Sequence, residues 1–333
     1  MTLGSRLRRR YLALASALAM LSVVCACNGD RSHADATPSA TAGPPTVSGP
    51  CGRFSIAYDP ANGYEASAFI VGSIAARSLG CHVTYVKTTS RKAWNVVASG
   101  RADVYLDAYG VDQLRRRLAR PGGPVTVVGP NGVKGSVNML APFFMGRRGL
   151  DTARDLADVT RIGWGVTTPA ITTVPELLPL ARSFVEFQHL DYTIRNFAQV
   201  GLGGGVGALM QQPRRDDARR MPNVYLAEGP RGLLGDRPGQ KQVDIPGSAS
   251  QPCRPDRRST LCSFSDFRYL KIANSAFAKS KSPAFSLVYK YRLDAADTAN
   301  ILELVVLSGY HVGPPDVASW LNTHSTQWRR WLP

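Results

Sequence analysis

Long hydrophobic runs are scarce in this sequence. Tyr11 to Val24 is apolar over 14 residues, short of the ~20 that a bilayer-spanning helix needs. Histidine is also scarce. Five are present (His33, His82, His189, His311, His324), dispersed and without the carboxylate–histidine spacing of a metal site or a zincin motif. No G-x-S-x-G elbow marks a hydrolase nucleophile. The glycine-rich stretch Gly201 to Gly207 lacks a following Lys-Ser or Lys-Thr and a strand–GxGxxG–helix context, so it reads as a flexible loop entering a helix rather than a phosphate cradle. Acidic residues are the minority, 24 against 40 Lys and Arg, for a formal charge of +16. The basic residues are scattered and no nucleic-acid motif accompanies them, so an anionic lipid or cell-wall surface is the expected contact and nucleic acid is not. There is no internal repeat. These absences argue against a cofactor, a metal and an enzymatic centre.

What is present begins at the N-terminus. Arg6, Arg8, Arg9 and Arg10 precede the 14-residue apolar run, the layout of a secretory signal. These arginines account for four of the +16, leaving +12 from Cys27 onward. The run ends Val24-Cys25-Ala26-Cys27, which resembles the lipobox of bacterial lipoproteins. Cys27 follows a small residue and fits the modified position, whereas Cys25 follows bulky Val24 and fits it less well. An ordinary secretory signal without lipid is the alternative. The expectation is a signal peptide over residues 1–26, lipidation at Cys27, and a flexible tether over residues 27–50, whose Ser, Thr, Ala, Gly and Pro cannot bury a core. The folded part would then sit on the extracytoplasmic face of the cell membrane. Of six cysteines, four remain beyond Cys27. An even number in an exported chain suggests two disulfides. Three connectivities are open; Cys51–Cys81 and Cys253–Cys262 are favoured, because the first two flank neighbouring strands and the last two bracket one short loop.

From Cys51 the pattern alternates between strand and helix. Phe54 to Tyr58 reads as a strand, Tyr64 to Leu79 as a helix closed by Gly80, His82 to Val86 as a strand, Ala93 to Ser99 as a short helix and Val104 to Leu106 as a third strand. That order argues for a parallel sheet with right-handed crossovers. Val125 to Val128 is a further strand, and Gly129 to Gly132 a turn-rich break where the chain is expected to cross into a second lobe. Arg161 to Trp164 and Tyr192 to Ile194 read as strands, Pro175 to Glu186 as a helix, Gly229 to Asp256 as a surface loop, and the last seventy residues as mostly helical. Ligands of such sheets sit beyond the carboxyl ends of the strands. The stretch Ser99 to Gly110 delivers Tyr105, Asp107 and Tyr109 to that end, on one face if the strand continues unbroken.

The order of these motifs resembles the substrate-binding proteins of ABC importers for glycine betaine, choline and related osmoprotectants. The stretch Ser99-Gly100-Arg101-Ala102-Asp103-Val104-Tyr105-Leu106-Asp107-Ala108-Tyr109 is similar to that family's "G-x-x-D-v-x-p-E-x-W/Y". Gly132 to Ala157 resembles the run that crosses between lobes and ends in "DLA", and Val317 to Trp328 resembles the family's "A-x-x-W-L-x-x-n-x-x-x-W" tail. The resemblance implies an α/β, two-lobed type II periplasmic-binding-protein fold with two inter-lobe crossings, lobe 1 from residues 51–133 and 236–333 and lobe 2 from residues 134–235. It implies a non-enzymatic receptor that closes on a quaternary-amine solute and docks to ABC permease subunits. An aromatic cage would hold the ligand by cation–π attraction. Carried onto this chain, the ligand-binding residues are Tyr109 at a cage position and Asp107 at an acid position, with Tyr58, Tyr64 and Trp164 as further faces. Met139 departs from the pattern, standing where a cage Trp often stands; Tyr225 is one substitute for it. A solute receptor for another ligand, or a cell-envelope protein that keeps the fold without transport, is the alternative.

Overall fold

The computed structural model describes residues 48–60, 65–109, 112–158, 169–197, 206–231, 233, 238–245 and 266–333. All of them belong to one compact unit, Thr37–Pro333. Residues 1–47, and with them the expected signal peptide, the expected lipidation site Cys27 and most of the expected tether, lie outside the described residues. So do the expected strand at Arg161 to Trp164 and the pair Cys253 and Cys262.

The strands are β1 (Arg53–Tyr58), β2 (His82–Lys87), β3 (Val104–Ala108), β4 (Val125–Pro142), β5 (Ala170–Thr173), β6 (Thr193–Asn196), β7 (Asn223–Pro230), β8 (Gln240–Val243) and β9 (Phe267–Asn274). The main helices are α1 (Glu65–Leu79), α2 (Ser90–Ala98), α3 (Asp112–Leu118), α4 (Phe143–Arg147), α5 (Leu178–Phe187), α6 (Val206–Arg219), α7 (Ser275–Ala278), α8 (Pro283–Lys290), α9 (Ala295–Leu307), α10 (Pro314–Thr323) and α11 (Ser325–Trp328). The strands form one sheet in the order β2-β1-β3-β9-β4-β7-β5-β6, with β8 on β4. β1 is parallel to β2 and β3, and β5 is parallel to β6 and β7. β4 and β9 are the antiparallel elements that join these two parallel halves.

β4 is the principal departure from expectation. Gly129 to Gly132 does not end a strand: β4 continues for 18 residues to Pro142. Its first half pairs with β9 through Val125–Asn274 to Gly135–Phe267, and its second half pairs with β7 through Gly135–Pro230 to Leu140–Tyr225. Turn-prone residues survive here because register shifts between Val127 and Gly129 and between Pro130 and Lys134 absorb them. At Gly132 the backbone has φ +100°, and a Cβ would collide with the Leu293 carbonyl, so glycine serves both the strained conformation and the close approach. The expected loop from Gly229 to Asp256 is likewise corrected in part: β7 extends to Pro230, and Gln240–Val243 adds β8 to the edge of β4.

Three apolar clusters fill the faces. Phe54, Ile56, Val104 and Leu106 face α1, α8, α9 and α10 in the largest. Ala57, Tyr105 and Ala108 face α2 on the opposite side. The second half of the sheet has its own core of Met139, Phe144, Ile171, Phe184 and Val224 among others. β3 is buried at every residue because it lies between β1 and β9 with helices on both faces. A disulfide joins Cys51 to Cys81, tying the start of β1 to the start of β2. This is the first of the two favoured pairs.

Candidate functional site

The carboxyl ends of β1 and β3, the N-terminus of α1 and the end of β7 converge on a group of carboxyl and aromatic side chains. Tyr109 follows β3 directly. Its hydroxyl donates to Glu228 Oε1 on β7, across the width of β9 and β4. Its ring stacks on Phe267 at 4.8 Å and meets Tyr269 edge-on at 5.2 Å, and those two lie 5.1 Å apart. Alternation along β9 explains why both β9 rings reach one side: positions i and i+2 share a face. Gly135 on β4 leaves room for them, since a Cβ there would strike Phe267 and Tyr269.

Asp107 does not share the face of Tyr105. A register shift between Tyr105 and Ala108 interrupts the pairing of β3 with β9. The unbroken alternation expected for Tyr105, Asp107 and Tyr109 is therefore corrected: the bulge rotates Asp107 toward α1. There it accepts from Ser67 Oγ at 3.1 Å and Asn131 Nδ2 at 2.8 Å. Tyr105 instead points to α2 and donates to Ser90 Oγ at 3.0 Å. Ser90 in turn donates from its backbone and its hydroxyl to Asp59, which follows β1. Asp107, Ser67, Tyr269, Pro230 and Thr298 line a cavity of about 30 Å³.

Burial dominates the electrostatics. It pushes the Glu228 carboxyl up to about 8, with the charge of Asp59 adding to the effect. The same cause raises Asp107 to about 7, with Asp59 and Glu65 as further contributors. Glu65, the first residue of α1, rises to about 7, again chiefly through burial and again with Asp59 nearby. Glu65 Oε1 accepts from the Val312 backbone at 3.3 Å and lies 3.9 Å from His311 Nδ1, while Oε2 has no hydrogen-bond partner. Four carboxyl groups thus feel one another in a chain of net charge +16. The repulsion and desolvation are relieved by protons on Glu228, Asp107 and Glu65 or by a bound cation. Beside them stand aromatic faces, which also attract cations. The arrangement suits a small organic cation.

The other expected faces are distributed differently. Tyr58 packs against Phe69 at 5.3 Å and Tyr85 at 6.5 Å, a separate aromatic group between β1, α1 and β2. Tyr64 and Trp164 lie outside the described residues. Met139 and Tyr225 are buried core residues: Met139 packs in the second-half core, and Tyr225 donates to buried Asp216. Asp59, Glu65, Glu228, Phe267 and Tyr269 were not singled out by sequence. A signal existed for the two β9 rings, whose spacing of two precedes an apolar strand. Glu228 gave one as well, as a lone acid closing the run Val224-Tyr225-Leu226-Ala227. Among the described residues no three His, Cys, Asp or Glu side chains are grouped to hold a metal ion, and no helix is long and apolar enough to cross a membrane.

No protein-family model matches this chain, and no curated protein matches it in sequence. Solved structures do resemble it in fold. Lactococcal OpuAC, in a closed conformation complexed with glycine betaine, superposes with a TM-score of 0.62 at 14% identity, over 84% of this chain and 99% of that one. The glycine betaine/L-proline-binding protein ProX of Borrelia burgdorferi gives 0.61 at 10% identity, covering 84% and 97%. An ABC-transporter choline-binding protein in complex with choline gives 0.57 at 12% identity, covering 84% and 91%. The chain has the α/β fold of these solute-binding proteins.

Proposed function

We propose that the protein is a solute receptor that binds a quaternary-amine osmoprotectant, of the glycine betaine or choline type, and delivers it to the permease of an ABC importer. It is a binding protein and not an enzyme. The observation that carries this reading is the grouping of Tyr109, Phe267 and Tyr269 with Glu228, beside Asp107. Aromatic faces and carboxylates are the two protein groups that attract a cation unable to donate ordinary hydrogen bonds. The fold shared with betaine- and choline-binding proteins supports the same conclusion. The basic N-terminal region and the Cys27 motif support an extracytoplasmic receptor, lipid-anchored and tethered at the membrane where its permease resides.

A thermal-shift panel tests the assignment. Choline, glycine betaine, proline betaine and carnitine are compared with sugars and amino acids that lack a quaternary nitrogen. Ligand at about a hundredfold above its dissociation constant stabilises the folded state by roughly 2.7 kcal/mol. A rise in melting temperature with one or more quaternary amines is expected. Stabilisation by another solute class alone would overturn the osmoprotectant assignment and leave a receptor of different specificity.

A further inference from the structure

α4 and the C-terminal half of α6 form a surface whose exposed charge is almost all arginine. Arg147 and Arg148 are exposed at the end of α4, and Arg214, Arg215, Arg219 and Arg220 are exposed on or just beyond α6. The two elements are joined at their centre, where the Phe144 backbone donates to Asp217 Oδ1 at 2.6 Å. Arg148 and Arg220, from different elements, both lie over the Phe144 ring, at 5.7 and 5.4 Å from its centre, and Arg147 lies 5.3 Å over Phe143. The acids of α6 are turned inward. Asp216 is buried and accepts from Gln212, Asn223 and Tyr225, while Asp217 is occupied by Phe144. The sequence places both signs on this helix, and folding sorts them so that the positive sign faces water.

Apolar side chains stand within the same surface. Phe143 is 41% exposed and Met221, next to Arg220, is 44% exposed. Cation–π contact with Phe143 and Phe144 holds these guanidinium groups beside the exposed ring. Fixed guanidinium groups around an exposed aromatic ring match the polar–apolar boundary of a bilayer, where phosphate oxygens lie above acyl carbon. A purely polar anionic polymer would have no use for Phe143 and Met221.

We infer that this arginine-rich surface of α4 and α6 is a docking site for an anionic phospholipid membrane. It would hold the folded unit in a preferred orientation on the bilayer, independently of the solute site. Each arginine near such a surface contributes about 1 kcal/mol, or roughly fivefold in affinity.

The unit Thr37–Pro333 contains the whole sheet, all three apolar clusters and the disulfide, so it folds without the preceding segment and is free of any lipid anchor. Its sedimentation is measured with vesicles of digalactosyl diacylglycerol, which are uncharged and free of choline, and with the same lipid mixed with phosphatidylglycerol. Retention on the anionic vesicles alone is expected, with release as salt approaches ~1 M, where the screening length is ~3 Å. The triple variant Arg147→Gln, Arg148→Gln, Arg220→Gln is expected to bind about a hundredfold more weakly. A second triple variant, Arg214→Gln, Arg215→Gln, Arg219→Gln, is expected to lose a similar factor, and thermal melts check that both remain folded. Equal retention on charged and uncharged vesicles would overturn the proposal. So would anionic binding that neither variant weakens, which would locate the contact elsewhere on the basic exterior. Retention on neither vesicle would overturn it in favour of a protein partner for this surface.

Discussion

Tyr109 donates its hydroxyl to Glu228 while its ring lies against Phe267, so losing the ring and losing the hydroxyl have different consequences. Tyr109→Ala removes an aromatic face and is expected to weaken a quaternary-ammonium ligand by about tenfold or more, or about 1.4 kcal/mol. Tyr109→Phe keeps the face, withdraws a donor from Glu228, and is expected to change affinity less; titration calorimetry separates the two. The carboxyls give a second prediction. Glu228, Asp107 and Glu65 have ordinary values of 4.5, 3.8 and 4.5, and the fold raises them to about 8, 7 and 7. Between pH ~4.5 and ~8 the folded chain therefore holds protons that the unfolded chain has released, and stability falls as pH rises through that window. Glu228→Gln is expected to flatten the upper part of that fall, read in urea melts taken from about pH 5 to about pH 8. A bound cation favours the ionised forms, so affinity for choline is expected to rise over the same interval.

At the scale of the elements, much of the topology was legible in the sequence and part of the site was not. β1, α1, β2, α2 and β3 announce themselves by apolar period and by glycine at Gly80 and Gly100, both with positive φ. β4 was harder, because its middle contains Gly129, Pro130, Asn131 and Gly132, the residues of a turn. Tertiary pairing with β9 overrides that local preference through two register shifts. Asp107 was named as an acid of the site, sharing the face of Tyr105 only if the strand ran unbroken, and nothing in Val104 to Ala108 marks the bulge that turns it toward Ser67. Glu228 and the β9 rings come from 119 to 160 positions farther along the chain than Tyr109, and their meeting depends on strand order, which local patterns do not encode. Two elements carry stability predictions. The Cys51–Cys81 bond closes a loop with a sequence separation of 30, so Cys51→Ser with Cys81→Ser is expected to cost about 3–4 kcal/mol by chain entropy, read as a drop in the denaturation midpoint. Buried Lys271 on β9 donates to the Val288 and Tyr289 carbonyls at 2.9 and 2.8 Å, and also to Tyr291, closing the C-terminus of α8. Lys271→Met strands those acceptors and is expected to cost at least ~1–3 kcal/mol in the same measurement.

Over the whole molecule, charge is divided by depth. The exterior is basic, while Asp59, Glu65, Asp107 and Glu228 are buried near the junction of the two sheet halves. An inward gradient of this kind disfavours cations at the surface and favours them at one interior place. It also separates the two proposed contacts by their response to salt. Buried charges are screened far less than exposed ones, so raising ionic strength is expected to abolish vesicle retention through α4 and α6 while changing cation affinity at the interior site much less. The most direct test of the central claim is calorimetric titration of choline into the wild-type protein and into Tyr109→Ala at neutral pH. Saturable binding to the wild type, weakened by about tenfold or more in the variant, is the predicted result. Binding of equal strength to both proteins, or no binding of choline or any betaine to the wild type, would contradict it.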